Sequence, residues 1–262
     1  MMSPQSIAAV NQLTLGEKTS IYRRFIPEVL RQRFNLPSDY KDVEGRDLLR
    51  LECESGSTEV ILDLRHSYEA EDPLLYAHIT DTINGQLHIL LYIVNDPDSP
   101  RYNVDRMPDG SKTDFGTLRR NIEAELSAMK AGLAPGQVRS GLRILQHSIR
   151  AFEDFAESLG QTIYFVEPLY YHNAVIFERY GFAYQQGLKR MHAINEQFSK
   201  DGPLYNKLDD STPFRMKGME KTIRGRSWSI HDGILGEPFT YVTMYKHIHT
   251  AASITTFPDS TW

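Results

Sequence analysis

Two titratable residues, Glu167 and His172, stand where a short apolar run ends, and their side chains suit proton transfer. The run at 162–168 is typical of a buried strand, which places Glu167 at the strand's carboxyl end. A general base needs a titratable group beside the proton that it removes, and either residue could serve. A structural role competes with this one, because Glu167 could cap the helix that begins near Tyr170 or make a surface ion pair.

Other polar residues are of types that occur in catalytic or metal sites, but the sequence around them does not support such a role. His231-Asp232-Gly233 could hold a catalytic pair, but Asp-Gly is ordinary turn chemistry and we expect a turn. His247 and His249 share one face of a predicted strand, as two metal ligands would. No cysteine or carboxylate cluster at ligand spacing accompanies them, so we expect no metal. Ser140 lacks the Gly-x-Ser-x-Gly setting of a hydrolase nucleophile.

Cations are concentrated in one stretch of twelve residues that contains a single acidic residue, Glu220. They are Arg215, Lys217, Lys221, Arg224 and Arg226. Arginine binds phosphate through paired hydrogen bonds, so the stretch is a candidate anion-binding surface. The alternative is a solvated face with balanced charge.

The composition limits the class of protein. The chain has 262 residues, of which 40% are hydrophobic and 24% charged, enough to bury a sizeable core. The net charge of −5 gives no basic footprint for nucleic acid. The single cysteine, Cys53, excludes an intramolecular disulfide and fits a reducing compartment. We see no signal peptide and no apolar run long enough for a membrane span, so we expect a cytoplasmic protein with neither nucleic acid nor membrane as partner.

The first part of the chain predicts a helix and then strands. Thr14 and Glu17 have capping-box spacing before a helical stretch that reaches residue 36 and that Pro27 divides. Strands are predicted at 48–54, 59–65, 74–82 and 86–94. The last two flank Asn84-Gly85, which favours a primed hairpin turn because both residues tolerate positive φ. The second arm is apolar almost throughout, so we expect a central strand with both faces covered.

The second part alternates helices with strands. After a Pro-, Asp- and Gly-rich connection at 96–114, the pattern predicts helices at 118–129, 145–159 and 171–180 and strands at 162–168 and 182–191. The first of these helices should bury Leu118, Ile122, Leu126 and Met129. Gly132 and Gly160 should end the first two helices. Irregular chain is expected beyond residue 200, apart from a strand at 238–248.

Two stretches resemble the GNAT acetyltransferase family. Residues 135–145, PGQVRSGLRIL, are similar to its loop before a helix, and 171–182, YHNAVIFERYGF, to its helix that ends in Tyr-Glu-(Arg/Lys)-x-Gly-Phe. The resemblance covers roughly 48–191. It implies an α/β fold, with a GNAT-like mixed, mostly antiparallel sheet flanked by helices. An N-terminal helical segment at 1–47 and a C-terminal extension at 192–262, packed on the core, complete the expected organisation.

The resemblance implies acetyl-CoA or another acyl-CoA as co-substrate, held by backbone N–H groups at the start of a helix. The residues that it places there are Gln137, Val138, Arg139, Ser140, Gly141, Leu142, Arg143, Asn173 and Phe177. Asn173 suits helix capping equally well. Ser140 and either Leu142 or Arg143 stand where the family usually has Gly or Ala. Phe177 stands where the family often has a Tyr that protonates the departing thiolate.

The implied function is transfer of an acyl group from acyl-CoA, or from an acyl carrier protein, to an amine acceptor. Glu167 or His172 would remove the amine proton, and backbone donors would hold the carbonyl oxygen. The partners would be a small-molecule acyl donor and an amine, and a homodimer is left open. The altered loop and Phe177 favour an alternative, a GNAT-fold binding or structural module that has lost transfer chemistry.

Overall fold

The computed structural model describes residues 4–113, 116 and 119–262. It has an α/β fold with a seven-stranded, mostly antiparallel open sheet flanked by helices. The strands are β1 (Leu49–Glu52), β2 (Glu59–Leu64), β3 (Leu75–Asp81), β4 (Leu87–Val94), β5 (Ile163–Val166), β6 (Ala183–Gln186) and β7 (Thr243–His247). Their order in the sheet is β1-β2-β3-β4-β5-β7-β6.

Nine α-helices are present in the described residues, with a 3₁₀ helix at Met219–Lys221. They are α1 (Ile7–Asn11), α2 (Leu15–Arg23), α3 (Glu28–Arg33), α4 (Ile122–Lys130), α5 (Leu145–Ser158), α6 (Tyr171–Arg179), α7 (Leu188–Gln197), α8 (Pro203–Asn206) and α9 (Ile223–His231).

The chain divides into two compact units, each assembled from three separate segments. Unit 1 comprises Met1–Asp98, Gly141–Glu167 and Tyr245–Ala251. Unit 2 comprises Ser99–Ser140, Pro168–Met244 and Ala252–Trp262. The division predicted from the sequence, at residues 47 and 191, stays a prediction.

The start of unit 1 confirms the predicted capping box. The Thr14 side chain accepts from the Glu17 N–H, and the Glu17 carboxylate accepts from the Thr14 N–H at 3.0 Å. α3 follows Pro27, as predicted. The sequence did not predict α1, whose first two N–H groups both donate to the Asp81 carboxylate at 2.8 Å. The N-cap Ser6 side chain also accepts from the Ala9 N–H at 3.1 Å, so a local cap and a carboxylate distant in the sequence together fix the start of this short helix.

The predicted hairpin is confirmed, but its turn is of a different type. β3 and β4 pair antiparallel. Gly85 has φ 73°, whereas Asn84 does not have positive φ. The Gly85 N–H donates to Thr82 O at 2.8 Å and the Thr82 N–H to Gln86 O at 2.7 Å. The connection is thus a three-residue loop that ends in a left-handed glycine, a common alternative to the primed turn.

β4 is central, between β3 and β5, as predicted. The expectation that both of its faces are covered is wrong, because only Leu87 is buried and its other seven residues are partly exposed. A continuous apolar run is compatible with one exposed face wherever a sheet does not carry helices on both sides.

α5 supplies the aromatic core of unit 1. The Phe152 ring lies 4.6 Å from that of Tyr164 and 5.4 Å from that of Phe25. Ala156 is also buried, and Gly160 ends the helix with φ 71°, as predicted. The period of the apolar residues therefore identified the buried face of α5 correctly.

α4 in unit 2 buries a different face from the one predicted. Ile122 is 45% exposed, whereas Glu125 and Ala128 are buried. Leu118 lies outside the described residues. A carboxylate with buried partners occupies the core-facing position, and a pattern of apolar residues does not show such a position.

Two further predictions in unit 2 are only partly correct. The strand predicted at 182–191 is β6 followed by α7, because Gly187, with φ 100°, turns the chain between them. The chain beyond residue 200 is mostly irregular, as predicted, but it also forms α8 and α9, which the sequence did not predict, and Trp228 of α9 stacks on Phe214 at 5.2 Å. The strand predicted at 238–248 is confirmed over the shorter range of β7.

Candidate functional site

In unit 1, β4 and β5 pair in parallel over only three positions and then part. The last register pair is Ile89 with Val166, and the Glu167 N–H still donates to Ile89 O at 3.3 Å. β5 ends there, whereas β4 continues to Val94 and keeps its pairing with β3. Beyond Ile89, β4 therefore no longer pairs with β5. An opening between two parallel strands is a favourable place for a ligand.

A β-bulge marks the same point in β4. The register with β3 passes from Ile79↔Ile89 to His78↔Leu91, which leaves Leu90 as the extra residue. Bulges bend a strand and redirect its side chains, and they are frequent beside functional sites. The bend in β4 therefore lies beside the position where β5 ends.

The start of α5 belongs to the same unit. Gly141 is exposed and has room for a Cβ, which would lie 3.6 Å from Val94 O. Leu142 and Ile144 are buried, and Arg143 is exposed with φ 58°. Ile144 caps the helix without a side-chain hydrogen bond. The first N–H groups of α5 thus have no side-chain cap, which is the property of a helix end that binds anions.

The preceding loop residues, in unit 2, already have protein partners. The Ser140 N–H donates to Ser99 Oγ at 3.1 Å, and Arg139 donates to Ser99 O. Gln137 accepts from the Ala134 N–H at 2.7 Å. Val138 packs against an apolar cluster made by Val104, Ala128 and Leu133. The hydrogen bond to Ser99 uses the Ser140 N–H, so this group is not free to bind a phosphate.

Glu167 is exposed at the end of β5, as its position in the sequence indicated. Glu167 acts electrostatically on His88 of β4, a residue that the sequence analysis missed. Burial lowers the pKa of His88, and the charge of Glu167 acts in the opposite direction. A histidine in a mostly apolar strand carries no motif, so no sequence signal identifies it.

His172, in unit 2, is enclosed. A hydrogen bond of 2.9 Å joins its Nδ1 to Ser227 Oγ, the Tyr170 ring stacks on it at 5.6 Å, and the Trp262 ring meets it edge-on at 6.2 Å. Burial, with a smaller effect from the charge of His231, lowers the pKa of His172 to about 3. It is therefore neutral at neutral pH and only 4% exposed.

The other two α6 residues predicted to touch a co-substrate have structural surroundings. Asn173 accepts from the Tyr170 N–H at 3.2 Å, which is the capping role left open in the sequence analysis. Phe177 is partly exposed and packs on Phe182 at 5.0 Å. Gly181, with φ 81°, ends the helix as the motif predicts.

The most extensive polar cluster of unit 2 was not predicted. His231 Nε2 lies 2.9 Å from Glu125, and Arg120 donates to Glu125 at 2.9 Å and to Asp232 at 2.8 Å. Arg215 donates to Asp232 at 2.8 Å. His231 thus pairs with a glutamate 106 residues away rather than with its neighbour Asp232, so local spacing gave no sign of the pair.

The five cations between 215 and 226 do not form one solvent-facing patch. Arg215 bonds to Asp232, Arg224 donates to Gly132 O at 2.8 Å, and Arg226 is 5% exposed beneath the Phe257 ring. The charges of these three arginines serve contacts within unit 2, and only Lys217 and Lys221 are exposed, which argues against one anion-binding surface.

Across the part of the chain that the structure describes, no three His, Cys, Asp or Glu side chains are placed to hold a metal ion, and no helix is long and apolar enough to cross a membrane. Comparison of the chain with protein-family models, with curated proteins and with solved structures finds no match.

Proposed function

We propose that the protein transfers an acyl group from acyl-CoA to an amine, as the resemblance to GNAT acetyltransferases implies. The observation that carries the proposal is the parting of β4 and β5 in unit 1. Because of this parting, about half of β4 has no pairing with β5. The same unit contains the start of α5, which has no side-chain cap.

The chemistry would follow from these two features. The N–H groups at the start of α5 would bind the pyrophosphate of the co-substrate, since they combine free donors with the positive end of the helix dipole. The part of β4 that β5 does not pair with would offer the backbone groups of that edge to the rest of the acyl donor. The amine would attack the thioester directly, so the reaction needs no nucleophilic side chain.

The second candidate function is binding without transfer. It is favoured by the Ser140 N–H, which is bonded to Ser99, and by Phe177, which has no proton to give a thiolate. His172 supports it too, because its burial withholds it from an amine in this conformation.

Thermal unfolding with acetyl-CoA tests the proposal. A ligand that binds only the folded state at 100 times its Kd stabilises that state by about 2.7 kcal/mol, so we expect a clear rise in Tm. Gly141→Asp would set a negative charge before α5 and should remove most of the rise. Gly16→Asp is the matched control, because Gly16 also has room for a Cβ and lies at the start of a different helix, α2. No rise in the unsubstituted protein would refute co-substrate binding.

Release of CoA in the presence of primary amines then separates the two candidates. An enzyme releases CoA only when an amine is added, whereas a binding module shows the rise in Tm without release. Phe177→Tyr should maintain or raise the rate of an enzyme, because its new hydroxyl adds a proton donor with a pKa near 10.

A further inference from the structure

Every exposed residue of α5 is polar. They are Gln146, His147, Arg150, Asp154 and Glu157. At 3.6 residues per turn, these five side chains fall within an arc of about 100° and extend over about 17 Å of the helix surface. The opposite side of α5 packs into the core of unit 1 through Phe152, Phe155 and Ala156. The five residues therefore form one continuous polar surface of unit 1, and together with exposed Arg143, just before the helix, we call it the α5 stripe.

The charges of the α5 stripe are separated by sign. Arg143 and Arg150 lie toward the amino end of the helix, with His147 between them. Asp154 and Glu157 lie toward its carboxyl end. The stripe thus presents two arginines and then two carboxylates in chain order.

This order of charges does not stabilise the helix itself. The helix dipole favours anions at the amino end and cations at the carboxyl end. α5 has no acidic residue in its first turn and no basic residue in its last turn. Arg150 also precedes Asp154, which is the less favourable order for an ion pair four residues apart. A local rule that is broken without a gain within the helix is typical of a functional surface.

A second copy of the chain matches the α5 stripe when its α5 runs antiparallel to the first. A two-fold axis beside position 152 sets Arg150 opposite Asp154 of the second copy, and the symmetry repeats this contact with the two copies exchanged. The same axis sets His147 opposite Glu157 of the second copy. The two helix dipoles then run in opposite directions, which is the favourable arrangement. A partner of a single charge sign would match one half of the stripe and be repelled by the other half.

We propose that the α5 stripe is the contact surface of a homodimer in which the two copies of α5 pack antiparallel. Opposite charges hold the two copies together, and the stripe contributes no exposed apolar side chain. Such a contact is weak and sensitive to salt, because exposed ion pairs are worth little each and are screened by ions. The dimer therefore forms at high protein concentration and low salt. The proposal is independent of acyl transfer.

Sedimentation equilibrium of the full-length chain tests the proposal, at protein concentrations from about 1 μM to about 1 mM. At about 0.05 M salt we expect the apparent mass to rise toward twice that of the monomer. At about 0.5 M salt it should stay close to that of the monomer, since the Debye length is shorter there.

Charge reversals at Arg150 and Asp154 locate the interface. These two positions are chosen because Glu157 already lies 3.5 Å from His249 Nε2 in its own copy. Arg150→Glu and Asp154→Arg each set like charges opposite one another at both symmetric contacts, so each should raise the Kd of the dimer about tenfold or more. Glu123→Arg is the control, because Glu123 is exposed on α4 in unit 2 and its reversal changes the net charge as much as Asp154→Arg does. It should leave the Kd unchanged.

An equal mixture of the two single variants gives the sharpest measurement. The Arg150→Glu chain is acidic at both positions and the Asp154→Arg chain is basic at both, so the two chains complement each other at every contact. The mixture should form a heterodimer at concentrations where neither variant dimerises alone. The double variant Arg150→Glu/Asp154→Arg exchanges the two charges, and it should dimerise as the unsubstituted protein does.

Four results would overturn the proposal. The first is an unsubstituted chain that stays monomeric up to about 1 mM at low salt. The second is a dimer whose Kd is the same in both single variants, which would place the interface on another surface. The third is a mixture that associates no more tightly than either variant alone. The fourth is a dimer that does not respond to salt, and this result needs no variant, so it decides even where a substitution prevents folding.

Discussion

Arg143 has a backbone conformation that is unfavourable for its residue type. Its φ of 58° is left-handed, which costs a residue with a Cβ roughly 1–2 kcal/mol. The side chain is exposed. Arg143→Gly should therefore raise the free energy of unfolding by about 0.5–1 kcal/mol, after allowance for the greater freedom of glycine in the unfolded chain. Urea denaturation measures the change.

Arg150→Gly is the control for this prediction. Arg150 is also exposed, but it lies inside α5, where glycine should cost about 1 kcal/mol. If both substitutions destabilise the protein equally, the conformation at Arg143 is not strained.

Single residues show what the sequence could and could not predict. Gly160 and Gly181 were predicted to end helices because a left-handed glycine after an apolar period is a local signal, and both have positive φ. The left-handed conformation of Arg143 was not predicted, although the resemblance places either Leu142 or Arg143 where the family usually has Gly or Ala. Likewise, His88 Nε2 is buried without a hydrogen-bond partner among the described residues, and its surroundings depend on strand pairing across the sheet, which the local sequence does not encode.

At the scale of elements, the buried carboxylate of Glu125 in α4 pairs with His231 at the end of α9. Burial alone would raise the pKa of Glu125, but hydrogen bonds and charge from His231 and Arg120 outweigh it and hold the pKa below its ordinary value of 4.5. The unfolded chain therefore takes up this proton at a higher pH than the folded one. The stabilisation is present above about pH 4.5 and is lost as the pH falls through the folded-state pKa.

Glu125→Gln should remove this stabilisation. At pH 7 the loss should be about 3–5 kcal/mol, the usual effect of breaking a buried ion pair, because Arg120 and His231 lose a buried charged partner. Below pH 4.5 the variant should lose less further stability than the unsubstituted protein. Urea unfolding between pH 7 and pH 3 measures both effects, and Glu123→Gln, on the exposed side of the same helix, should change neither. Identical acid sensitivity in the two proteins would contradict this assignment.

The segment at 252–262 covers His172 with the side chain of Trp262. Its inner part is anchored by Thr256, which donates twice to Glu178, at 2.6 and 2.9 Å. Its outer part ends at Trp262, which is 46% exposed. Elements with exposed contacts open more readily than buried ones. Trp262→Ala should therefore increase the rate at which diethyl pyrocarbonate modifies His172, as measured by mass spectrometry.

The matched variant for this experiment is Trp262→Phe, which keeps an aromatic ring and should leave the rate close to that of the unsubstituted protein. His249, which is largely exposed, reports the intrinsic reactivity in every sample. An equal rate at His172 in all three proteins would show that Trp262 does not shield it.

The sequence predicted helix starts and buried helix faces correctly where residues within the same helix determine them. It failed where residues distant in the sequence determine them. The capping box of α2 and the apolar face of α5 depend on spacing within one helix, and both are confirmed. The start of α1 depends on Asp81 as well as on its local N-cap Ser6, and the buried face of α4 depends on His231. No pattern within a single helix reveals such partners. The same limit applied to the candidate site, where the loop at 137–143 was located by resemblance but its contacts with Ser99 were not foreseen.

At the scale of the whole molecule, the two units are interleaved along the chain, which passes between them five times. The segment Tyr245–Ala251 belongs to unit 1 although it follows most of unit 2. Within unit 1 it buries Lys246, whose Nζ lies 3.8 Å from the buried carboxylate of Glu153. Neither unit is therefore encoded by one contiguous stretch, and removal of the last part of the chain should damage both.

A fragment of residues 1–191 tests this arrangement. It keeps the stretch that resembles a GNAT core, but it lacks α9 with buried Trp228, and it leaves Glu153 without Lys246. A buried charge without its partner and the loss of a large apolar residue are each enough to unfold a marginally stable protein. We expect the fragment to bind a hydrophobic dye and to melt without a cooperative transition. A fragment of residues 1–251 retains every segment of unit 1, so it should keep a cooperative transition from that unit. Cooperative melting of the 1–191 fragment at the temperature of the full chain would show instead that residues 192–262 are a dispensable extension.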